Sequence, residues 1–167
     1  MIKINLVFTP NILDAKRIKI LPFENENTND IYVWLDSNIE LLISKELLVK
    51  EFLGDNDMGL FKHPIRNNIK DEAEAIRIYR PQYYEAVKKQ VDKYLKTYKD
   101  DKGLYESGVL ILRNNERVRN FCQDWWKEII ENSPRDQISF PFVLNKHNIK
   151  IKANDGDVRQ HNWFKFK

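Results

Sequence analysis

The sequence lacks the features that mark secreted, membrane-spanning and nucleic-acid-binding proteins. It has a single cysteine, Cys122, so no internal disulfide can form, which is typical of a reducing compartment. No stretch approaches the ~18 consecutive apolar residues of a membrane span, and the amino-terminal MIKINLVF is too short for a signal peptide. The 28 basic and 25 acidic residues give a net charge of +3 without any basic run, which argues against a nucleic-acid partner. We therefore expect a cytoplasmic protein with no transmembrane segment, for which peripheral membrane association stays open.

The residues that are present suit one folded domain, 1–167, because 42% are hydrophobic and 12% aromatic. Apolar runs of strand length alternate with segments of helical periodicity, which predicts an α/β fold. The predicted strands lie at 3–9, 31–35, 58–64, 107–114 and 148–153. The predicted helices lie at 45–53 after a Ser44 cap, at 68–79 and 81–98, along the apolar stripe of 118–130, and at 138–144 with a break at Pro141.

The segment YVWLDSNIEL places an acid and an amide, Asp36 and Asn38, directly after a buried-looking strand. Open α/β sheets place ligand groups at the carboxyl ends of their strands. Oxygen ligands two positions apart in a turn suit Mg²⁺ or Mn²⁺, which take the rest of their coordination shell from water and phosphates. The alternative is a polar turn in which Asp36 caps backbone amides.

A second polar cluster, SPRDQISF, holds Asp136 and the substrate-binding candidate Gln137 before an apolar segment. The simplest interpretation is a helix start with Ser133 or Asp136 as its cap. The functional interpretation makes Asp136 a general base or an anchor for a substrate hydroxyl. A helix amino terminus stabilises the charged carboxylate, which weakens it as a base.

Three further places combine a turn with groups that bind sugars or phosphates. Glu106 opens the strand of GLYESGVLILRN, where the alternative is a strand-entry turn. His63 and Arg66 are either a phosphate or sugar-carboxylate site or surface charges. In the tail, His161 and Lys165 are either a metal ligand and a phosphate-binding lysine or part of a solvated basic end.

Six segments, taken in order, resemble a known family of glycosyltransferase-like domains. They are VFTP with Pro10, AKRIKILPF, IYVWLDSNIEL, FKHPIRNNIKDEAEAI, GLYESGVLILRN and FCQDWWKEIIENSPRDQISFPFVL, which together cover roughly residues 6–145. The most specific are WLDSNI and SPRDQISFPF. The family is named after plant proteins of seed-mucilage synthesis and turgor regulation, and it has many bacterial members near polysaccharide genes.

The resemblance implies a GT-A-like αβα sandwich with a central mixed, mostly parallel sheet, and a nucleotide sugar bound with Mn²⁺ or Mg²⁺. Asp36 and Asn38 match the metal-binding Asp-x-Asp motif, with a neutral, weaker ligand in the second position. Arg17 and Lys19 match the basic pair that approaches the diphosphate. The polar residues expected along the sugar and acceptor side are His63, Arg66, Glu72, Glu106 and Asp136. Family members usually carry an earlier strand and a glycine-containing loop, so the chain is expected to be short at the N-terminus, either minimal or partial.

The resulting expectation is a metal-assisted glycosyltransferase of polysaccharide biosynthesis, with a nucleotide-sugar donor and a glycan or other hydroxyl acceptor. The cation would stabilise the departing diphosphate, and Arg17, Lys19 and Lys165 would add positive charge. Asp136 or Glu106 would serve as the base if the reaction inverts the anomeric configuration.

Two other classes of function remain open from the sequence. Asn38 in the motif is also compatible with a nucleotide-sugar- or glycan-binding module that has lost catalysis. Asp36, Glu72 and Asp136 could instead build a metal-dependent nuclease or phosphoesterase, against which the absence of a basic stripe argues.

Overall fold

The computed structural model describes residues 2–5, 11–24 and 29–167, and it has the predicted α/β fold. The strands are β1 (Ile2–Asn5), β2 (Ile31–Leu35), β3 (Ile39–Leu41), β4 (Met58–Lys62), β5 (Tyr105–Arg113), β6 (Ile151–Asn154) and β7 (Phe164–Phe166). The helices are α1 (Ile12–Ile20), α2 (Lys45–Leu48), α3 (Ile69–Tyr79), α4 (Tyr84–Tyr94), α5 (Glu116–Glu131) and α6 (Asp136–Leu144), with a π-helical turn at Val49–Leu53 and a 3₁₀ turn at Pro81–Tyr83.

The central sheet has five strands in the order β1-β2-β5-β4-β6. The pairs β1–β2 and β4–β6 are parallel, whereas β5 runs antiparallel to both of its neighbours. Four strands therefore point one way, which confirms a mixed sheet with mostly parallel strand directions. Because β5 runs against β2 and β4, the start of β5 lies beside their carboxyl ends. Residues that are distant in the chain meet at this edge.

Both faces of the sheet are covered, so every residue of β2 is buried. Tyr32 and Trp34 point to one core, where the sheet packs against α1 and α3 to α6. Val33 and Leu35 point to a second core, covered by α2, the π-helical turn and the separate two-stranded sheet of β3 and β7. The molecule thus has three layers: the helices, the central sheet, and a smaller layer made of α2, the π-helical turn and the β3–β7 sheet.

Local signals explain most helix starts. The Ser44 hydroxyl accepts from the Leu47 amide at 3.2 Å, as the cap prediction requires. The side chain of Asn68 caps α3 in the same way. Helix α6 differs from its prediction, because it continues through Pro141 without a break. Its buried side chains hold it in the core even though proline cannot donate the usual backbone hydrogen bond.

Other elements depart from the sequence patterns. Helix α4 is shorter than the predicted 81–98 and begins after the 3₁₀ turn, and strand β7 was not predicted. Residues 6–9 of the first predicted strand, and the VFTP segment with Pro10, lie outside the described residues. Within the described ranges, no helix combines the length and the apolarity that crossing a membrane requires.

Candidate active-site cleft

A cleft of about 450 Å³ opens where β2 and β4 end and β5 begins. Its ionisable lining residues are the basic Lys16, Lys19, Arg80, Arg135 and Arg159 and the acidic Asp36, Glu106 and Asp136. Two of the five cations, Arg135 and Arg159, also pair with Glu72 and Asp157, which lie outside the lining. The cleft thus offers several cations to an anionic ligand.

Asp36 lies in the turn after β2 and faces this cleft. Its Oδ1 accepts a hydrogen bond from the indole Nε1 of Trp34 at 2.7 Å and lies 3.8 Å from Nζ of Lys19. The backbone amide of Asp36 donates to the carbonyl of Gly108 at 2.8 Å, which ties the turn to β5. A Cβ at residue 108 would lie 3.2 Å from Oδ2 of Asp36, so glycine lets the carboxylate pack against β5.

A buried ion cluster forms the floor of the cleft. Nζ of Lys19 donates to Oγ of Ser107 at 2.9 Å and to Oδ2 of Asp136 at 3.2 Å. Ser107 donates to the same Oδ2 at 2.8 Å, and Nζ of Lys16 lies 2.9 Å from Oδ1 of Asp136. The two lysines are one helical turn apart on α1, so they share a face and reach the two oxygens of one carboxylate.

The protonation of this cluster follows from its charges. Burial alone would raise the pKa of Asp136, but the charges of Lys16 and Lys19 hold it well below its usual value. Burial lowers the pKa of Lys16, although Asp136 opposes that change. Asp136 is therefore an ionised anchor for two ammonium groups, an environment that disfavours a general base.

The position of Asp136 is fixed by a contact between its backbone and the hydrophobic core. It is the first residue of α6, and its carbonyl accepts from the indole of Trp125 at 3.2 Å. Trp125 is fully buried in the core, as its place in the apolar stripe of α5 predicts. The helix start is thus held by the core, and Arg135, which precedes α6, provides no side-chain cap.

Glu106, at the start of β5, is the other acidic group of the cleft floor. Its Oε1 lies 3.2 Å from a guanidinium nitrogen of Arg159 and 4.0 Å from Nε2 of His63. Its buried Oε2 has no hydrogen-bond partner among the residues that the structure describes. Burial raises the pKa of Glu106, and the charge of Arg159 only partly offsets this effect.

His63, Arg66 and Glu72 form a charge network beside Glu106. Nε of Arg66 lies 2.7 Å from Oε2 of Glu72 and its terminal nitrogen 2.8 Å from Nε2 of His63. Burial, with the charge of Arg66, lowers the pKa of His63, so the ring is neutral at neutral pH. Arg135 joins the network through Glu72 at 3.5 Å, and its buried Nε has no hydrogen-bond partner in the described part of the chain.

The structure brings together only part of the predicted site. Lys19, Asp36, Asn38, Glu106, Asp136 and Gln137 all line the cleft, and Gln137 accepts from Arg135 at 3.2 Å. Arg17 lies on the solvent side of α1 and pairs with Glu24. Lys165 is exposed on β7 and is not part of the lining.

The predicted third metal ligand, His161, is not among the residues that line the cleft with Asp36. Its ring contacts Phe61, Trp163 and Phe164, and its Nδ1 accepts from the amide of Trp163 at 3.3 Å. Across the described ranges, no three His, Cys, Asp or Glu side chains form a group that could hold a metal ion. The three acids of the nuclease hypothesis therefore do not converge.

The residues around Asp36 do not fit a divalent cation well. One carboxylate oxygen already receives the indole N–H and faces an ammonium group at 3.8 Å. Asn38 can add only a neutral oxygen. These residues offer few oxygen ligands, and Lys19 already supplies positive charge. The need for Mn²⁺ or Mg²⁺ stays a prediction.

The sequence patterns missed Lys16, Arg80, Arg135 and Arg159. Lys16 could have been found from its spacing to Lys19, because residues three apart share a helix face. Arg159 lies in the loop before β7, and no local pattern connects it to Glu106, 53 residues away.

Comparison with known proteins agrees with the sequence resemblance. The chain is 28% identical over 138 residues to alkaline ceramidase TOD1 of Arabidopsis thaliana, an alignment that covers 75% of this chain and 30% of that protein. The chain thus spans less than a third of that relative's length. Among solved structures, mouse xyloside xylosyltransferase 1 in its apo form matches with a TM-score of 0.47 at 14% identity, over 84% of this chain and 50% of the other.

The family profile described as "TOD1/MUCI70, glycosyltransferase-like domain" matches residues 14–162, which is most of the sequence and includes every residue that lines the cleft except Ile12 and Phe166. The chain therefore belongs to the TOD1/MUCI70 glycosyltransferase-like domain family.

Proposed function

We propose that the protein uses this cleft to transfer a sugar from a nucleoside-diphosphate sugar to a hydroxyl acceptor. The observation that carries this proposal is the pairing of two unlike groups in one cleft. Lys16, Lys19 and Arg135 line the cleft together with Glu106, whose buried Oε2 has no hydrogen-bond partner among the described residues. Such a pairing suits a reaction that expels an anion and removes a proton.

The lysines of the cleft suit the leaving group. As the bond between the anomeric carbon and the phosphate oxygen breaks, negative charge builds on the departing diphosphate. Lys16 and Lys19 are held by Asp136 on the floor of the cleft, so their charges need little reorganisation when that charge develops. Arg135 adds a guanidinium whose Nε–H has no acceptor among the described residues.

Glu106 suits the acceptor. The acceptor oxygen forms the new bond to the anomeric carbon while its proton passes to the Glu106 carboxylate, as in an inverting transfer. The raised pKa of Glu106 makes it a stronger base than Asp136, whose pKa is held low by two lysines. Asp136 positions the lysines.

A second candidate function comes from the name of the Arabidopsis relative, a ceramidase. Ser107 is the only hydroxyl group near Lys19 among the bonds described above, and a serine–lysine pair would suit amide hydrolysis. However, Ser107 donates its proton to Asp136 and accepts from Lys19, so its hydroxyl is held inside the ion cluster. This arrangement favours a structural hydroxyl over a nucleophile.

Turnover of a donor panel tests the proposal. The whole chain is incubated with uridine- and guanosine-diphosphate sugars and glycan acceptors, and release of the nucleoside diphosphate is measured. We expect turnover of at least one donor, reduced about 100-fold or more in Glu106→Gln because the base is lost.

Glu74→Gln is the matched control, because Glu74 is exposed on α3 and pairs only with its neighbour Arg77 in the described contacts. Unchanged turnover in Glu106→Gln would remove the base from the mechanism. Binding of a donor without turnover would favour the degenerate binding module. Hydrolysis of ceramide without turnover of any donor would contradict glycosyl transfer.

A further inference from the structure

We infer that the ammonium groups of Lys16 and Lys19 hold the donor diphosphate in place of a divalent cation. This inference rests on the proposed function and names how its ligand is bound. It differs from the metal-dependent binding that the motif resemblance implies.

Lys19 holds a fixed positive charge at the position where a metal ion would be expected. Its side chain is only 5% exposed, and its ammonium lies 3.8 Å from the carboxylate of Asp36 in the motif position. The bonds to Ser107 and Asp136 keep the group fixed at the end of the sheet. A fixed cation beside the motif carboxylate supplies the phosphate attraction that a metal ion supplies elsewhere.

Asp36 already has partners for its carboxylate. Its Oδ1 is already engaged by the indole of Trp34, and its charge is already balanced by Lys19. A divalent ion bound to the same oxygen of Asp36 would lie close to the ammonium group of Lys19, and the two positive charges would repel each other. Because Mg²⁺ and Mn²⁺ are hard ions that favour several oxygen ligands, one carboxylate and the Asn38 amide make a weak site.

Asp136 holds both lysines in the cleft. Its Oδ1 binds Lys16 and its Oδ2 binds Lys19, so one carboxylate holds two ammonium groups side by side. Side by side, the two ammonium groups can donate charged hydrogen bonds to neighbouring oxygens of a diphosphate without an added ion.

The test measures binding and needs no turnover. Uridine diphosphate and guanosine diphosphate are titrated into the whole chain by calorimetry, once in EDTA and once in Mn²⁺. We expect at least one of them to bind in EDTA with an affinity within about threefold of that in Mn²⁺. Lys19→Gln is expected to weaken binding in EDTA by about tenfold or more, because a charged hydrogen-bond donor is lost.

Lys88→Gln is the matched control, because Lys88 is exposed on α4 and pairs with Asp92. If Lys19→Gln does not fold, the comparison of EDTA with Mn²⁺ on the unaltered chain still decides. Binding that appears only with Mn²⁺ would overturn the inference and leave the proposed function standing. Binding of neither nucleotide in either buffer, with no donor turned over, would overturn both.

Discussion

At the scale of single residues, Asp136 decides the electrostatics of the cleft. It is almost fully buried, yet it stays ionised because Lys16 and Lys19 bind its two oxygens. A buried ion cluster is stable only while its charges compensate each other, and removing one partner leaves an unpaired buried charge.

We expect Asp136→Asn to destabilise the fold by about 3 kcal/mol or more, because Lys16 and Lys19 lose their shared partner. Urea unfolding at neutral pH measures this change. Asp124→Asn makes the same substitution at an exposed site paired with His147, where we expect a change within about 0.5 kcal/mol.

The effect of Asp136→Asn also depends on pH. Since the folded-state pKa is depressed, the stabilisation is fully present above the unfolded value of about 4 and is lost as pH falls through the folded pKa. The difference in the free energy of unfolding between the unaltered protein and Asp136→Asn should therefore shrink in strong acid. An equal difference at all pH values would contradict the assigned charge state.

A second residue-scale prediction concerns Glu106 and Arg159. The base must be deprotonated, so kcat/KM should rise with pH through the pKa of Glu106, which burial places above the ordinary 4.5. Arg159 lowers that pKa by its charge. Arg159→Gln is therefore expected to move the acidic limb of the pH profile to higher pH.

Arg77→Gln provides the control for this shift, because Arg77 lies on the exposed surface of α3 and pairs with Glu74. In Glu106→Gln the acidic limb should disappear along with most of the activity. A limb that stays at the same pH in Arg159→Gln would assign the titration to another group.

At the scale of elements, the π-helical turn and β4 approach each other unusually closely. A Cβ at Gly59 would overlap the backbone carbonyl oxygen of Phe52. That carbonyl also accepts from the side chain of Asn154 at 3.0 Å, so it cannot move freely. The short segment after α2 therefore needs glycine in the strand beneath it.

We expect Gly59→Ala to destabilise the protein by about 1–3 kcal/mol, because the π-helical turn must shift away from the sheet. Urea unfolding measures the loss. Gly108→Ala is the matched control in β5, where the added Cβ would meet side-chain atoms of Asp36 and Ile39 at 3.2 Å. Equal losses at both sites would contradict the role of the Phe52 carbonyl.

Elements also decide which basic residues reach the cleft. The resemblance pairs Arg17 with Lys19, two positions apart, but residues 12–20 form helix α1. On a helix, residues two apart point to different faces, whereas residues three apart share one. Lys16 therefore joins Lys19 in the cleft, and Arg17 turns to solvent. The weak apolar pattern of this segment hid the helix from the sequence.

At the scale of the whole molecule, the position of the cleft follows from one antiparallel strand in an otherwise parallel sheet. The reversed β5 brings Glu106 and Gly108 to the edge where β2 ends at Asp36. The helix layer on one face then supplies α1 and α6 to the same edge. The assignment of residues 1–167 to a single domain stays a prediction.

The sequence by itself determined the α/β class, the strands at 31–35 and near 58–62 and 107–113, and the long amphipathic helix α5. These elements carry continuous apolar runs or a 3–4 repeat, and such patterns are local consequences of burial. The turn at Asp36 and the acid at Glu106 could also be located, because polar groups directly beside a buried strand stand out.

Only the tertiary structure decided what those groups do. Lys19 meets Ser107 and Asp136 across 88 and 117 residues of chain, and no local pattern encodes contacts at that separation. The charge of each group depends on its burial and on its neighbours, so Asp136 becomes an anchor and Glu106 a base only after the chain has folded.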